Sequence, residues 1–167
     1  MQDAAIELVP HSAHWPQLFQ AEKVALSPLL APWLCGDIEH IGSTAVPGLL
    51  AKPVIDLMAP VVSLEASLPA IDVLTRSGYA HADYQSHAMH WFCKPSPALR
   101  THHLHLVPMD SGLWRERIAF REALRQSPTL AEEYGELKKR LAAQFRHDRE
   151  GYTAGKTQFV QRLLRNK

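Results

Sequence analysis

The chain has 167 residues, of which 46% are hydrophobic and 21% charged, so its composition is that of one soluble globular domain. Eighteen basic and 17 acidic side chains leave a formal net charge of +1, which excludes a protein that wraps DNA or RNA with a strongly basic face. The two cysteines form no CxxC pair, the N-terminal residues form no secretory signal, and no apolar run is long enough to span a bilayer. We therefore expect a cytoplasmic protein without membrane contact.

The first 35 residues predict a short edge strand followed by one helix. Residues 6–9 alternate apolar and polar side chains, which is typical of a strand with one buried face. A helix is predicted from about Ser12, and Pro28 and Pro32 should end or bend it. Its apolar face is formed by side chains at helical spacing, namely Trp15, Leu18, Phe19 and Leu26.

The middle of the chain predicts strands joined by tight loops. A short strand at 38–41 runs directly into Gly42, and residues 46–49 favour a turn. The segment 53–62 is apolar almost throughout, which indicates a strand buried on both faces, and Asp56 is its single charge. A helix is predicted near 64–77, ending at Gly78, and two further strands at 90–94 and 101–107.

From Ser111 onward the pattern is helical. An apolar stripe supports one long helix, and Ser127 followed by Pro128 is a good start signal for it. The stripe consists of Leu130, Tyr134, Leu137, Leu141 and Phe145. A last helix is predicted from about Thr153, burying Phe159, Val160, Leu163 and Leu164. We thus predict one α+β domain, with a small mixed sheet within about 36–110 and a helical segment over about 111–167.

The first group of residues that could carry chemistry is the Gly42–Ser43 turn together with Asp56. A glycine after a strand allows a close approach of the backbone to a ligand, and a serine and the following amides can then hold a phosphate. A carboxylate on the next strand could hold Mg²⁺ beside that phosphate. The alternative is a plain turn with a hydrogen-bonded aspartate, but a carboxylate in an apolar strand must be paired or coordinated. The segment is no Walker A loop, so Lys52 either neutralises phosphate or is simply solvated.

The second group is a concentration of histidines. The chain has ten, and His103 and His105 should share one face of the last predicted strand. Such a pair can bind one metal ion or divide phosphate binding and proton transfer between its members, and His40 could join it. The alternative is a hydrogen-bonded pair on a sheet surface. Known two-histidine and triad hydrolase motifs are incomplete here, since Val107 replaces a third histidine and Ser43 lies outside a GxSxG elbow.

These motifs resemble a known family. The segment EHIGSTAVPGL at 39–49, followed by AKPVID at 51–56, closely resembles the signature of the GrpB family, and HLHLV at 103–107 resembles its second motif. The resemblance continues through 120–125, 134–138 and 152–156, and so covers nearly the whole chain. GrpB proteins are similar to the nucleotidyltransferase superfamily, and similar domains occur fused to dephospho-coenzyme A kinase, where an accessory role in folding has been suggested.

The resemblance implies a nucleotidyltransferase-like mixed sheet packed by helices. Gly42 and Ser43 match the turn that holds nucleotide phosphate, and Asp56 matches the first metal carboxylate. The second carboxylate would stand at position 58, where this chain has Met58, and the third would fall on the strand that carries the histidines. One aspartate with imidazoles suits a single softer ion such as Zn²⁺, Mn²⁺ or Ni²⁺ better than two Mg²⁺ ions.

The sequence therefore predicts a protein that binds a nucleotide or another phosphorylated small molecule with a divalent metal (Mg²⁺, Mn²⁺ or Zn²⁺) and that can catalyse nucleotidyl or phosphoryl transfer. The metal ligands would be Asp56, His103, His105 and His40, of which Asp56 and His105 would also be catalytic. Substrate would be bound by Gly42, Ser43, Thr44, Lys52 and Arg121. The competing hypothesis is an accessory module that lost its carboxylates, as Met58 indicates, and uses its helices for a protein partner.

Overall fold

The structure, a computed structural model, describes residues 5–165 and contains an α+β fold, as predicted. The helices within this range are α1 (Trp15–Leu30), α2 (Leu68–Arg76), α3 (Gly112–Gln126), α4 (Pro128–Gln144), α5 (Arg149–Ala154) and α6 (Thr157–Arg165). The strands are β1 (Glu39–Ile41), β2 (Ile55–Val61), β3 (Ala80–Ala82), β4 (His90–Pro95) and β5 (Arg100–Pro108). A single 3₁₀ turn, Ser43–Ala45, follows β1.

The strands form one mixed sheet in the order β1-β2-β5-β4-β3. Strands β2 and β5 run parallel at its centre, and every other neighbouring pair is antiparallel. Strand β2 is buried on both faces, as its apolar sequence predicts, and Asp56 is its one half-buried residue. The central position of β2 and β5 brings Asp56 into register with His103.

The two faces of the sheet carry different cores. One face packs against α1 and α2 through apolar side chains that include Leu57, Leu104 and Leu106. Asp56 and Met58 alternate to the other face, where Met58 is fully buried beside Trp91 and residues of α3. A third core joins α3, α4 and α6 to the loop after the 3₁₀ turn. The C-terminal helices thereby cover the end of the sheet at which Asp56 lies.

Hydroxyl caps explain where two of these helices begin. The Ser111 hydroxyl accepts the amide of Trp114 at the start of α3, and the Ser127 hydroxyl accepts the amide of Leu130 at the start of α4. Helix α1 continues through Pro28 and ends at Leu30. No helix within residues 5–165 has the length and hydropathy needed to cross a membrane.

Three predicted elements differ from the structure. Residues 6–9 form no strand but one isolated bridge between Val9 and Ala51, because the pairing would next oppose Glu7 to Pro53, which has no amide hydrogen to donate. The helix predicted near 64–77 begins only at Leu68, after a turn. The last predicted helix is two helices, α5 and α6, separated at residues 155–156. Of its predicted core residues, Phe159 and Leu163 are buried, whereas Val160 and Leu164 are half-buried.

Candidate functional site

The turn after β1 requires glycine at position 42. Its φ of +73° lies in the region that side chains disfavour, and a Cβ atom there would lie 2.5 Å from Oδ2 of Asp56. The aspartate therefore lies directly against the backbone of the turn, a contact that any other residue would block. This close approach brings Ser43, the next residue, to the same place as the carboxylate.

Asp56, His103 and His105 form one cluster, here called the carboxylate–histidine cluster. Oδ1 of Asp56 lies 2.9 Å from Nδ1 of His103 and 3.6 Å from Nε2 of His105. One potential ligand atom from each residue lies within 4.8 Å of the other two. The parallel register of β2 and β5 produces the cluster, because residues 103 and 105 alternate to the face that carries residue 56.

The electrostatics of the cluster favour an anionic aspartate and a neutral imidazole. Burial alone would raise the pKa of Asp56, but its interactions with His103 and His105 outweigh burial and hold the pKa well below its ordinary value. Burial lowers the pKa of His105, and the nearby Asp56 carboxylate opposes that effect only in part. At neutral pH a carboxylate and a neutral imidazole therefore stand side by side.

Two nitrogen atoms of the cluster have no hydrogen-bond partner. Nε2 of His103 and Nε2 of His105 are both buried and unpaired among the residues that the structure describes. A buried polar atom without a partner costs free energy, whereas a neutral imidazole nitrogen beside a carboxylate is a common metal ligand. The donor set thus fits one divalent ion of borderline character such as Zn²⁺ or Mn²⁺.

A second group of side chains, the lysine cluster, consists of Lys52, Lys138 and Lys156. The Nζ atoms of Lys156 and Lys52 lie 4.3 Å and 5.1 Å from the ring centroid of Tyr152. Nζ of Lys138 lies 5.1 Å from the ring centroid of Tyr134 and donates a hydrogen bond to the carbonyl of Leu50. Three elements, namely the loop before β2, helix α4 and the break between α5 and α6, thus bring three amines together.

The three amines repel one another. Burial lowers the pKa of Lys138 to about 7, and the charges of Lys156 and Lys52 lower it further. Burial also lowers the pKa of Lys156 to about 8, with Lys52 adding to the effect and Asp56 opposing it. The charge of Asp56 also acts on Tyr134, and the Ser43 side chain lies near enough to lower the pKa of that phenol. The lysine cluster therefore lies beside the Gly42–Ser43 turn and the carboxylate–histidine cluster.

His40 does not join the predicted metal ligands. It pairs with Leu57, so its ring points to the opposite face of the sheet from Asp56 and stacks on Phe19 with a centroid distance of 4.7 Å. Its Nε2 lies 3.0 Å from the hydroxyl oxygen of Thr44. Burial, the largest influence, lowers the pKa of His40 to about 4, so this ring is neutral at pH 7. We therefore assign His40 a structural role.

Thr44 and Arg121 also lie outside the place predicted for them. The Thr44 side chain is 2% exposed, and its hydroxyl donates to the carbonyl of Val54. Arg121 is 8% exposed, and its guanidinium donates to the carboxylate of Glu39 at 2.7 Å and to the carbonyl of His40 at 2.8 Å. These bonds hold α3 and the turn against β1.

Sequence reasoning missed Lys138 and Lys156 as functional residues. A lysine on a helix is usually solvated, yet Lys138 lies one turn after the buried Tyr134, a place that predicts burial. Sequence reasoning also did not single out Arg117 of α3. Its charge lowers the pKa values of His105 and Lys156, which places Arg117 as the α3 arginine near both clusters.

Proteins of known sequence are similar to this chain over most of its length. The chain matches the family described as GrpB protein over residues 5–166. The glutamate-rich protein GrpB of Alkalihalophilus pseudofirmus is 36% identical over 162 residues, which cover 94% of this chain and 92% of that protein. A UPF0157 protein of Pseudomonas aeruginosa is 38% identical, and the match spans 97% of this chain and 67% of the relative.

A solved structure shares the fold as well. The crystal structure of conserved protein GrpB from Enterococcus faecalis superposes with a TM-score of 0.85 at 31% sequence identity, and the match covers 96% of each chain. The family match extends over nearly the full length, and the sheet with its packed helices is common to both proteins. The chain therefore belongs to the GrpB family.

Proposed function

We propose that the protein binds one divalent metal ion at the carboxylate–histidine cluster and, beside it, a phosphorylated small molecule, with a nucleotide as the preferred class. The observation that supports the metal is the pair of buried, unpartnered Nε2 atoms of His103 and His105 next to the anionic Asp56. The observation that supports a phosphorylated ligand is the Gly42–Ser43 turn, which the structure places against the same aspartate.

The donor set favours one metal ion over two. Two-metal phosphoryl transfer requires several carboxylates to bridge and neutralise two dications. Position 58, on the same face as Asp56, carries a fully buried methionine that packs in an apolar core. One carboxylate with two imidazoles therefore suits Zn²⁺ or Mn²⁺ better than a pair of Mg²⁺ ions.

Some residues of the site would supply charge, and others would transfer protons. A bound divalent ion supplies Lewis-acid polarisation of a phosphoryl oxygen. Asp56 stays anionic at neutral pH and anchors His103 through Nδ1. His105, kept neutral by burial, can accept a proton at Nε2 when no ion occupies that atom. Ser43 and Lys52 would hold the phosphate, and the reaction that fits these groups is nucleotidyl or phosphoryl transfer.

A second function, that of a non-catalytic accessory or protein-interaction module, is favoured by one observation. The position at which a related fold would carry a second carboxylate is filled by Met58, with an exposed fraction of 0%. In that case the turn and the histidines would bind a ligand or stabilise the domain without turnover. Metal and nucleotide binding with no transfer reaction would identify this second function.

The experiment is metal binding with a matched pair of variants. The purified protein is first analysed for bound metals, then stripped with chelator and titrated calorimetrically with Zn²⁺, Mn²⁺ and Mg²⁺. Asp56→Asn should weaken Zn²⁺ or Mn²⁺ binding by about 100-fold or more, since loss of a charged ligand exceeds the 10–100-fold effect of outer-shell changes. Asp72→Asn, which alters an exposed ion pair on α2, should leave it unchanged. Equal affinity in both variants, or no binding to the unaltered protein, would refute the metal site.

A further inference from the structure

We propose that the lysine cluster is the phosphate-recognition site of this protein, with the half-buried Lys156 as the contact and the buried amine of Lys138 behind it. This inference rests on the proposed function, because it names the group of the ligand that is recognised and the residues that recognise it. It adds two lysines from the C-terminal helices to a site that sequence motifs place only in the N-terminal half.

Two amines of the cluster, those of Lys138 and Lys156, have no carboxylate paired with them among the described residues. Lys138 is 2% exposed, and of its three ammonium hydrogens the structure accounts for one, which is donated to the Leu50 carbonyl. A buried and unpaired ammonium is unfavourable unless an anion accompanies it. The cluster is therefore built for a negatively charged partner.

The arrangement of the amines indicates that the partner is small and doubly charged. Lys156 and Lys52 lie over one aromatic ring, that of Tyr152, and both act electrostatically on Lys138. Lysines act on phosphate as point charges, and a phosphate group with a charge of about −1.5 to −2 neutralises such a cluster better than a carboxylate does. Tyr134, whose ring lies under Lys138, packs against Val46 and Leu49 in the loop that follows the Gly42 turn, so the cluster and the turn are neighbours.

The position of Asp56 explains how a metal and a phosphate would cooperate. The negative charge of Asp56 raises the pKa of Lys156, so the carboxylate acts at the position of this lysine. In the metal-free protein the same charge repels an anion that approaches Lys156. A divalent ion on the carboxylate–histidine cluster would cancel that repulsion. Phosphate should therefore bind more tightly to the metal-loaded protein, and by reciprocity the metal should bind more tightly in the presence of phosphate.

The test is calorimetric titration of inorganic phosphate and, separately, of ATP into metal-free protein and into protein preincubated with Mn²⁺. Lys156→Gln removes the charge of the half-buried contact lysine and should weaken the binding of both phosphate and ATP by about 10-fold or more, with Mn²⁺ affinity changed much less. Lys139→Gln is the matched control, because Lys139 adjoins Lys138 on α4 but is exposed and paired with Glu136. Circular dichroism and thermal unfolding verify that each variant is folded.

Each outcome separates the lysine cluster from the metal site. Loss of phosphate affinity in Lys156→Gln but not in Lys139→Gln supports the inference, with or without metal binding. Phosphate binding that is equal in all three proteins, or no phosphate and no ATP binding while Mn²⁺ still binds, would overturn it and leave the metal site standing. Acetate that binds as tightly as phosphate would also overturn it. If Mn²⁺ does not bind but phosphate does, the metal proposal fails and the lysine cluster remains.

Discussion

The buried Lys138 should make the stability of this protein rise with pH above neutrality. The folded protein lowers the pKa of this amine from 10.5 to about 7, mainly by burial. Between pH 7 and pH 10 the unfolded chain keeps the proton that the folded chain releases. The unfolded state then binds more protons, so the free energy of unfolding increases with pH.

The size of this effect follows from the pKa difference. One pKa unit corresponds to about 1.4 kcal/mol, so keeping Lys138 charged in the folded state costs about 5 kcal/mol relative to the unfolded chain. Because the amine is half-titrated at pH 7, raising the pH from 7 to 9 should add about 2 kcal/mol to the free energy of unfolding. Lys156, with a pKa lowered to about 8, contributes in the same direction.

The increase in the free energy of unfolding with pH ends near pH 10. There the tyrosines of the unfolded chain begin to ionise, whereas burial raises the pKa of Tyr134 far above its ordinary value and that of Tyr152 to about 12 in the folded protein. Above pH 10 the folded state therefore binds more protons than the unfolded state, and stability should fall again. The expected profile is a rise from pH 7, a maximum near pH 10 and a decline beyond it.

Urea unfolding at pH 7, 8 and 9 in phosphate-free buffer measures the profile, and Lys138→Met isolates its source. The methionine leaves the Leu50 carbonyl without a partner, which costs about 1–3 kcal/mol at every pH and does not change the slope. The variant should lose most of the increase between pH 7 and pH 9, whereas Lys139→Met, at an exposed position, should keep it. Identical slopes in Lys138→Met and the unaltered protein would refute the assignment of this buried charge.

Two further substitutions test how the site is built. Gly42→Ala should destabilise the protein by more than the roughly 1 kcal/mol expected for a positive φ, and it should abolish metal binding because its Cβ would displace Asp56. Gly48 also has a positive φ, +79°, but nothing lies within 4 Å of its Cβ position. Gly48→Ala should therefore cost only the free energy of the unfavourable φ and leave metal binding intact. Equal losses in the two would contradict the close approach at the turn. Arg121→Met should lower the free energy of unfolding by about 3 kcal/mol, because it breaks a buried ion pair with Glu39. Arg76→Met, at an exposed ion pair, should lower it by less than about 1 kcal/mol. If the role of Arg121 is structural, Arg121→Met should leave the phosphate affinity unchanged.

The carboxylate–histidine cluster could be predicted from sequence because it depends on the two-residue alternation of side chains along a β-strand. A strand alternates its side chains, so His103 and His105 share a face whatever the rest of the fold does. An aspartate inside an apolar strand also has to meet a partner. The structure confirms the proximity of these three residues, and the register of two parallel strands is all that it adds.

His40 could not be placed by the same reasoning. Its side of the sheet depends on the pairing of β1 with β2, which opposes His40 to Leu57 and Ile41 to Asp56. The loop between these strands includes a 3₁₀ turn and further bends, so its length alone does not define the register. A shift of one residue would have brought His40 to the face of Asp56.

The lysine cluster could not be predicted from the sequence, because tertiary packing brings together lysines that are far apart along the chain. Lys52 precedes β2, Lys138 lies on α4, and Lys156 lies in the break between α5 and α6. That break was itself not predicted, since Thr153 was expected to begin one continuous helix. Helical periodicity indicates which face of a helix is buried, but it does not indicate which cations of separate helices will meet.

The most direct test of the central claim is anomalous diffraction from crystals of this protein soaked in Mn²⁺ and inorganic phosphate. The account predicts one anomalous peak bound by Asp56, His103 and His105. A phosphate should lie between that peak and Lys156. A peak at other residues, or crystals that hold no ion and no phosphate at this turn, would contradict the account.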